Sequence, residues 1–169
     1  MERSVFESYS KAKKLLSLLN EIKAKQEKVI IFVINHIGQD MLRYGIEESF
    51  EINVDIINGS DNDQNSVKRK LDAFTKQNGF GVIILSPLAA GVGLTITEAN
   101  HVVHYERWWN ASKEDQASDR VYRIGQNKDV FIHYIIGKLP SGKKSIDEAI
   151  HELIAQKRET AGFLIPPKS

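Results

Sequence analysis

The chain has 169 residues, a net charge of +1, 41% hydrophobic and 27% charged residues, and no cysteine, as expected for one soluble globular domain. This composition excludes disulfides, thiolate metal sites and nucleic-acid binding through a global positive charge. No apolar run is long enough to span a membrane and no signal-peptide pattern is present, so we expect no membrane partner.

The hydrophobic pattern predicts alternating helices and strands. An amphipathic helix is expected from about Ser10 to Lys25, with Ser10 as its N-cap. Apolar runs predict strands at residues 29–34, 52–57, 81–85, 101–105 and 130–136, with helices at about 37–49 and 64–76 between the first three. This alternation indicates an α/β fold with a mostly parallel sheet.

Polar segments follow four of these strands. Residues 35–36, 58–60, 86–93 and 106–110 each follow a strand, and a helix predicted at 112–124 begins close by. Ligands of open α/β sheets bind at the carboxyl ends of the strands. We therefore expect the functional site at that edge of the sheet.

The segment QASDRVYRIGQ, residues 116–126, is the most informative motif. On a helix, Gln116, Arg120 and Arg123 share one face, and two arginines with an amide suit a polyphosphate. The alternative is a solvated helix whose arginines pair with Glu114, Asp115 or Asp119.

A second motif precedes it, LSPLAAGVGLTITEANHVVHYERWW, residues 85–109. Gly91 and Gly93 follow a buried strand and allow a backbone to approach a ligand closely, although a tight turn needs the same residues. Trp108 and Trp109 offer a stacking surface for nucleic acid. Adjacent side chains diverge, so we expect one tryptophan in the core.

The order LSPLAAGVGLT, ERWWN and EDQASDRVYRIGQ resembles the second RecA-like lobe of SWI/SNF-type helicase-family ATPases, which are duplex DNA translocases and remodellers. The match looks closest to the bacterial and archaeal branch and covers nearly the whole chain. The resemblance implies a RecA-like three-layer α/β/α domain with a mostly parallel central sheet. It divides the chain into an N-terminal helix (1–27), the lobe (28–138) and a C-terminal bracing helix with a tail (139–169).

The resemblance also implies a role in ATP hydrolysis across a cleft. Arg120 and Arg123 would be the motif VI arginines, with Arg123 as the arginine finger, while Gln116 and Gly93 would position the nucleotide. The sequence contains neither GxxxxGK[ST] nor a DExH box. We therefore expect ATP and Mg²⁺ to be bound mainly by a first RecA-like lobe of the same parent chain, and no hydrolysis by this chain alone.

The same family places duplex DNA on this lobe. The expected contacts, mostly to phosphates and therefore independent of sequence, are Asn35, His36, Gly59, Ser60, Ser86, Trp109 and Asn110. One departure weakens this surface, because Leu88 stands where the family commonly has a basic residue. Residues 44–67 also carry acidic but no basic side chains, so we expect weak DNA binding by the chain alone.

The sequence gives less information about metal sites and localisation. The five histidines are spread along the chain, and the two that are close in sequence, His101 and His104, lack nearby partners at metal-ligand spacing, so we expect no metal on this lobe. The resemblance implies a cytoplasmic, nucleoid-associated protein if bacterial and a nuclear one if eukaryotic.

Two other classes of function remain open. The chain could be an inert RecA-like scaffold that binds DNA or protein. It could also be a nucleotide-dependent α/β enzyme that uses the Gly91 and Gly93 turn as a phosphate cradle, which is disfavoured because GVGLT matches neither GxGxxG nor a P-loop.

Overall fold

A computed structural model describes residues 10–59, 63–89, 96–108, 110–119, 126–139 and 141–164. In chain order the elements are α1 (Ser10–Ala24), β1 (Lys28–Phe32), α2 (His36–Phe50), β2 (Asp55–Ile57), α3 (Gln64–Lys76), β3 (Gly81–Leu85), β4 (His101–His104), α4 (Ala111–Asp119), β5 (Phe131–Tyr134) and α5 (Ile146–Leu164). The alternation of helices and strands is the one the sequence predicts.

The strands form one sheet in the order β2-β3-β1-β4-β5, and every pairing between neighbours is parallel. Strand β1 lies at the centre and is buried along its whole length, which explains its uninterrupted apolar run KVIIF. The sheet and its flanking helices confirm the expected α/β fold with a parallel central sheet.

Alternate residues of the central strand enter two separate cores. Val29 and Ile31 pack in the cluster that contains Leu15 of α1 and Ile46 of α2. Ile30 and Phe32 face the other side, where a second cluster contains Phe74 of α3. Because both faces of the sheet are covered by helices, the domain has three layers.

The strand order places a topological switch beside β1. From β1 the chain crosses to β2 and returns to β3 on one side, and it then continues to β4 on the other side. The connections that leave β1 and β4 therefore diverge, which opens a crevice between the carboxyl ends of these two strands.

Some boundaries differ from the sequence expectation. Strand β2 begins at Asp55 rather than residue 52, because the Val54 N–H donates to the Glu47 side chain at 2.9 Å instead of to a neighbouring strand. Ser10 is the first residue of α1 rather than its cap. Helix α4 is described as far as Asp119, and residues 120–125 lie outside the described residues. No helix in the described ranges is long and apolar enough to cross a membrane.

Candidate functional site at the carboxyl ends of the strands

Glu106 bridges the two strands at the switch point. It follows β4, and its Oε2 atom accepts hydrogen bonds from the main-chain N–H of Ile34 at 2.7 Å and of Asn35 at 3.1 Å, directly after β1. A carboxylate that accepts two main-chain N–H groups holds the loop more firmly than a neutral acceptor would. The loop that carries Asn35 and His36 is thereby fixed to the end of β4.

Two predicted DNA-contact asparagines are helix caps. The Asn35 side chain accepts from the Ile37 N–H at 2.9 Å and caps α2. The Asn110 side chain accepts from the N–H groups of Ser112 at 3.1 Å and Lys113 at 3.3 Å at the start of α4. Both asparagines are exposed, so the positive ends of two helix dipoles open toward solvent at this edge.

Ser86 joins the loops that follow β2 and β3. Its hydroxyl is buried and accepts from the Gly59 N–H at 3.0 Å and from the Ala89 N–H at 3.1 Å. A Cβ at position 59 would lie 2.8 Å from the Leu88 Cβ, so only glycine fits at this approach. Ser86 and Gly59 are thus brought together, but the Ser86 hydroxyl is occupied within the protein, and its DNA contact stays a prediction.

A buried ion pair attaches α4 to the end of β4. Arg107 donates from Nε to Oε1 of Glu114 at 2.8 Å and from Nη2 to Oε2 at 3.1 Å. The two side chains are 1% and 0% exposed. Loss of one partner of such a pair destabilises a protein by about 3–5 kcal/mol, because the other charge stays buried without compensation. The pair therefore contributes strongly to the packing of α4 against the sheet.

Aromatic rings connect this pair to the central strand. The His104 ring stacks on Phe32 of β1, with ring centroids 5.3 Å apart, and on Tyr134 of β5 at 5.2 Å. The Arg107 guanidinium lies 4.2 Å from the Tyr134 ring centroid. Burial, together with the positive charges of Arg107 and Arg158, lowers the pKa of His104 to about 3. His104 is therefore neutral at physiological pH, and its Nε2 shares a hydrogen bond with the Ser118 hydroxyl at 2.9 Å.

Helix α5 supplies a cationic partner to α4 and a hydrogen-bond acceptor to Arg107. Its Arg158 pairs with Asp115 and lies 3.8 Å from Oε2 of Glu114, and its His151 accepts a hydrogen bond from Arg107. Gln116, by contrast, is exposed. The charges of Glu114 and Asp115 are therefore balanced by arginines from outside the QASDRVYRIGQ segment.

Several of the remaining predicted site residues lie in the parts of the chain that the structure does not describe. Ser60, Gly91, Gly93, Trp109, Arg120 and Arg123 lie outside the described residues. His36 is exposed at the first position of α2, and Trp108 is partly exposed, with the Lys113 ammonium 5.4 Å from its ring. Sequence reasoning missed the role of Arg107, whose only signal was a basic residue between a buried strand and a helix with Glu114 in its first turn.

A pocket of about 540 Å³ lies elsewhere at this edge, between the first turns of α1 and α5 and the middle of α2. Met41, Tyr105 and Ile146 are among its lining residues, and none of the predicted site residues lines it. It therefore takes no part in the site described above. Within the described ranges, no group of three His, Cys, Asp or Glu side chains could hold a metal ion.

Comparison with known sequences agrees with this architecture. Residues 10–125 match the helicase conserved C-terminal domain family. The chain belongs to this family. Among its members it is a second RecA-like lobe of the SWI/SNF type, similar to lobes of bacterial and archaeal proteins.

Two curated bacterial relatives show the extent of the match. The chain is 43% identical over 152 residues to Zorya protein ZorD from Escherichia coli O139:H28 (strain E24377A / ETEC), covering 87% of this chain and 14% of ZorD. It is 40% identical over 126 residues to the putative ATP-dependent helicase/translocase YwqA from Bacillus subtilis (strain 168), covering 75% of this chain and 13% of YwqA. The chain thus spans a small part of the length of each relative.

Two solved structures share the fold. The C-terminal part of the Fun30 ATPase domain superposes with a TM-score of 0.81 at 30% identity, covering 91% of this chain and 48% of that one. The Sulfolobus solfataricus SWI2/SNF2 ATPase core in complex with dsDNA superposes with a TM-score of 0.75 at 30% identity, covering 95% of this chain and 32% of that one.

Proposed function

We propose that this lobe is the second half of an ATP-driven motor that moves on duplex DNA, and that it completes a nucleotide site formed mainly by a first RecA-like lobe of the parent chain. In this proposal Arg123 is the arginine finger, Arg120 assists it, and Gln116 and Gly93 help to position the nucleotide. Arginine fingers raise the rate of nucleotide hydrolysis by about 10³- to 10⁵-fold.

The charge distribution around α4 is the observation that best supports this proposal. The competing interpretation has Arg120 and Arg123 neutralised by nearby carboxylates. The buried carboxylate of Glu114 is instead bound by Arg107, and Asp115 pairs with Arg158. Two of the three candidate carboxylates are thus engaged by arginines from outside the motif, which counts against the competing interpretation.

The residues of this lobe also fit the cofactors that the proposal requires. The exposed amide of Gln116, followed by two arginines in the same sequence motif, suits the phosphates of ATP, whose hydrolysis would supply the energy for movement. In this proposal Mg²⁺ is held mainly by the first lobe, as the resemblance to the family implies. The proposed role of this chain is to orient the nucleotide and to stabilise the negative charge on its phosphates during hydrolysis.

The DNA side of the proposal rests on the same edge. The exposed caps Asn35 and Asn110 mark two helix N-termini, which favour phosphate groups and carry no base specificity. The Sulfolobus core, which shares this fold, was solved with dsDNA. This reasoning supports contacts to the DNA backbone at residues 35–36 and 109–110, and the proposal adds residues 59–60 and Ser86 from the family resemblance.

Comparing ATP hydrolysis by the isolated chain with that of the full-length parent tests this function. We expect no hydrolysis by the isolated chain and DNA-stimulated hydrolysis by the parent. Hydrolysis by the isolated chain would refute the division of labour between lobes. A parent that hydrolyses no ATP with DNA present would favour the inert scaffold.

A further inference from the structure

Helix α4 is held against the sheet by polar groups. Among its residues with described side chains, the two buried ones are Glu114 and Ser118, and both are polar. Glu114 binds Arg107, and Ser118 binds His104. Hydrogen bonds depend on direction, whereas apolar contacts tolerate rotation, so these contacts define the angle of the helix about its own axis.

The Arg107 guanidinium is itself fixed in position. It donates two parallel hydrogen bonds to Glu114, at 2.8 and 3.1 Å, which fixes the relative orientation of two planar groups. Tyr134 covers the guanidinium at 4.2 Å, and His151 of α5 accepts a third hydrogen bond from it. Groups from β5, α5 and α4 therefore converge on the Arg107 guanidinium.

Gln116 lies on the opposite side of the same helix. Two residues correspond to about 200° of rotation on an α-helix, so a helix that buries Glu114 must expose Gln116, as observed. A rotation of α4 about its axis would redirect Gln116 and the chain that continues toward Arg120 and Arg123.

We propose that Arg107 and Glu114 are a positioning pair that fixes the rotation of α4 and thereby aims the arginine finger, Arg123. The inference rests on the proposed function, because it assumes that Arg123 acts on a nucleotide. Neither residue is expected to touch the nucleotide.

The test uses the full-length parent and replaces both charges with apolar side chains, Arg107→Met with Glu114→Leu. Replacement of a whole buried pair by apolar side chains is often neutral for stability, whereas removal of one member costs about 3–5 kcal/mol. We expect a cooperatively folded protein whose kcat for DNA-stimulated ATP hydrolysis falls about 10- to 100-fold, since small misplacements of reacting groups cost rates of that size. The KM for ATP should stay near wild type, because the first lobe binds most of the nucleotide.

Two further variants separate positioning from stability. Arg107→Lys keeps the charge but loses the two-bonded geometry, so its kcat should also fall, and it serves as the test if the double variant does not fold. The matched control is Glu27→Gln, which perturbs another polar network of the lobe, where Glu27 accepts from His101 at 2.5 Å at the opposite end of the strands. It should alter stability and leave kcat within about twofold of wild type, as expected for a distant site.

A thermodynamic cycle with Arg123→Ala distinguishes this inference from the proposed function. If the pair acts through Arg123, its replacement should have little further effect on kcat in the Arg123→Ala background. The positioning role is wrong if Arg123→Ala lowers kcat but the pair replacement and Arg107→Lys do not. It is also wrong if the effects of the pair replacement and of Arg123→Ala on kcat multiply. In both cases Arg123 is still supported as the arginine finger. If Arg123→Ala leaves kcat unchanged, the finger and the positioning role both fail.

Discussion

Glu106 and Asn35 are joined across the switch point of the sheet, where the Glu106 carboxylate accepts the Asn35 N–H at 3.1 Å and the Ile34 N–H at 2.7 Å. The next residue, Arg107, binds Glu114 of α4. Two consecutive residues after β4 thus hold two different segments, the loop that begins α2 and the helix that carries Gln116. A movement of this short turn would displace both segments together.

Replacing Glu106 tests the first of these links. Glu106→Ala leaves two main-chain N–H groups without their acceptor, and we expect a loss of about 1–2 kcal/mol in the free energy of unfolding of the lobe. Glu106→Gln keeps an acceptor oxygen and should lose less. Urea unfolding monitored by tryptophan fluorescence measures both variants, and equal stability of Glu106→Ala and wild type would show that the link contributes nothing.

Gly59 should not tolerate a side chain. A Cβ there would lie 2.8 Å from the Leu88 Cβ, so Gly59→Ala forces the two loops apart and should cost about 1–3 kcal/mol. The matched control is Gly38→Ala in α2, where the nearest atom would be 3.4 Å away and alanine favours the helix. Denaturant midpoints should fall for the first variant and stay level or rise for the second, and the reverse order would contradict the structure.

The two arginines around Glu114 should differ sharply in their effect on stability. Arg107→Ala removes both hydrogen bonds to the fully buried Glu114 carboxylate, leaves only Arg158 at 3.8 Å, and should destabilise the lobe by about 3–5 kcal/mol. Arg158 and its partner Asp115 have side chains 37% and 52% exposed, so Arg158→Ala should cost less than about 1 kcal/mol. Similar midpoints for both variants in urea unfolding would mean that burial does not determine the strength of these pairs.

His104 should make the stability of the lobe depend on pH. Its pKa is about 3 in the folded protein, against an ordinary histidine pKa of 6.5 in an unfolded chain, so only the unfolded chain takes up this proton between those pH values. The contribution of His104 to the free energy of unfolding is therefore complete above pH 6.5. It is lost as the pH falls toward 3, at up to about 1.4 kcal/mol per pH unit.

The matched variant is His104→Phe, which keeps a ring between Phe32 and Tyr134 and removes the titrating group. The free energy of unfolding, measured between pH 7 and pH 4.5, should fall less steeply for this variant than for wild type. Parallel pH profiles would show that His104 does not titrate as its burial requires.

The sequence was sufficient to predict the architecture, because the spacing of apolar residues along the chain indicates which faces of the helices and strands are buried. The run GVIIL at 81–85 is a buried strand with the predicted bounds, and helix α3 has the predicted residues 64–76. The start of β2 was predicted wrongly. Ile52 and Val54 have strand-forming side chains, but the Val54 N–H donates to the Glu47 carboxylate in the preceding helix, a contact that hydrophobic periodicity does not reveal.

The contacts within the site could not be predicted in the same way. Asn35 and Asn110 were assigned to DNA by motif position, although an asparagine directly before a helix also predicts an N-cap. The contacts of Arg107 and Arg158 with α4 depend on how β4, α4 and α5 meet in space, which no local pattern encodes. The assignments of Arg120, Arg123 and Gly93 remain predictions from the family motif.

The most direct measurement is the rate of DNA-stimulated ATP hydrolysis by the full-length parent, wild type against Arg123→Ala, with nucleotide binding measured in parallel. The matched control is Arg43→Ala, which removes an arginine that pairs with Asp40 at 3.3 Å on the surface of α2. We predict that kcat falls by about 10³-fold or more for Arg123→Ala, that ATP binding is largely retained, and that Arg43→Ala behaves as wild type. Turnover by Arg123→Ala close to that of the control would contradict the arginine finger and favour the scaffold.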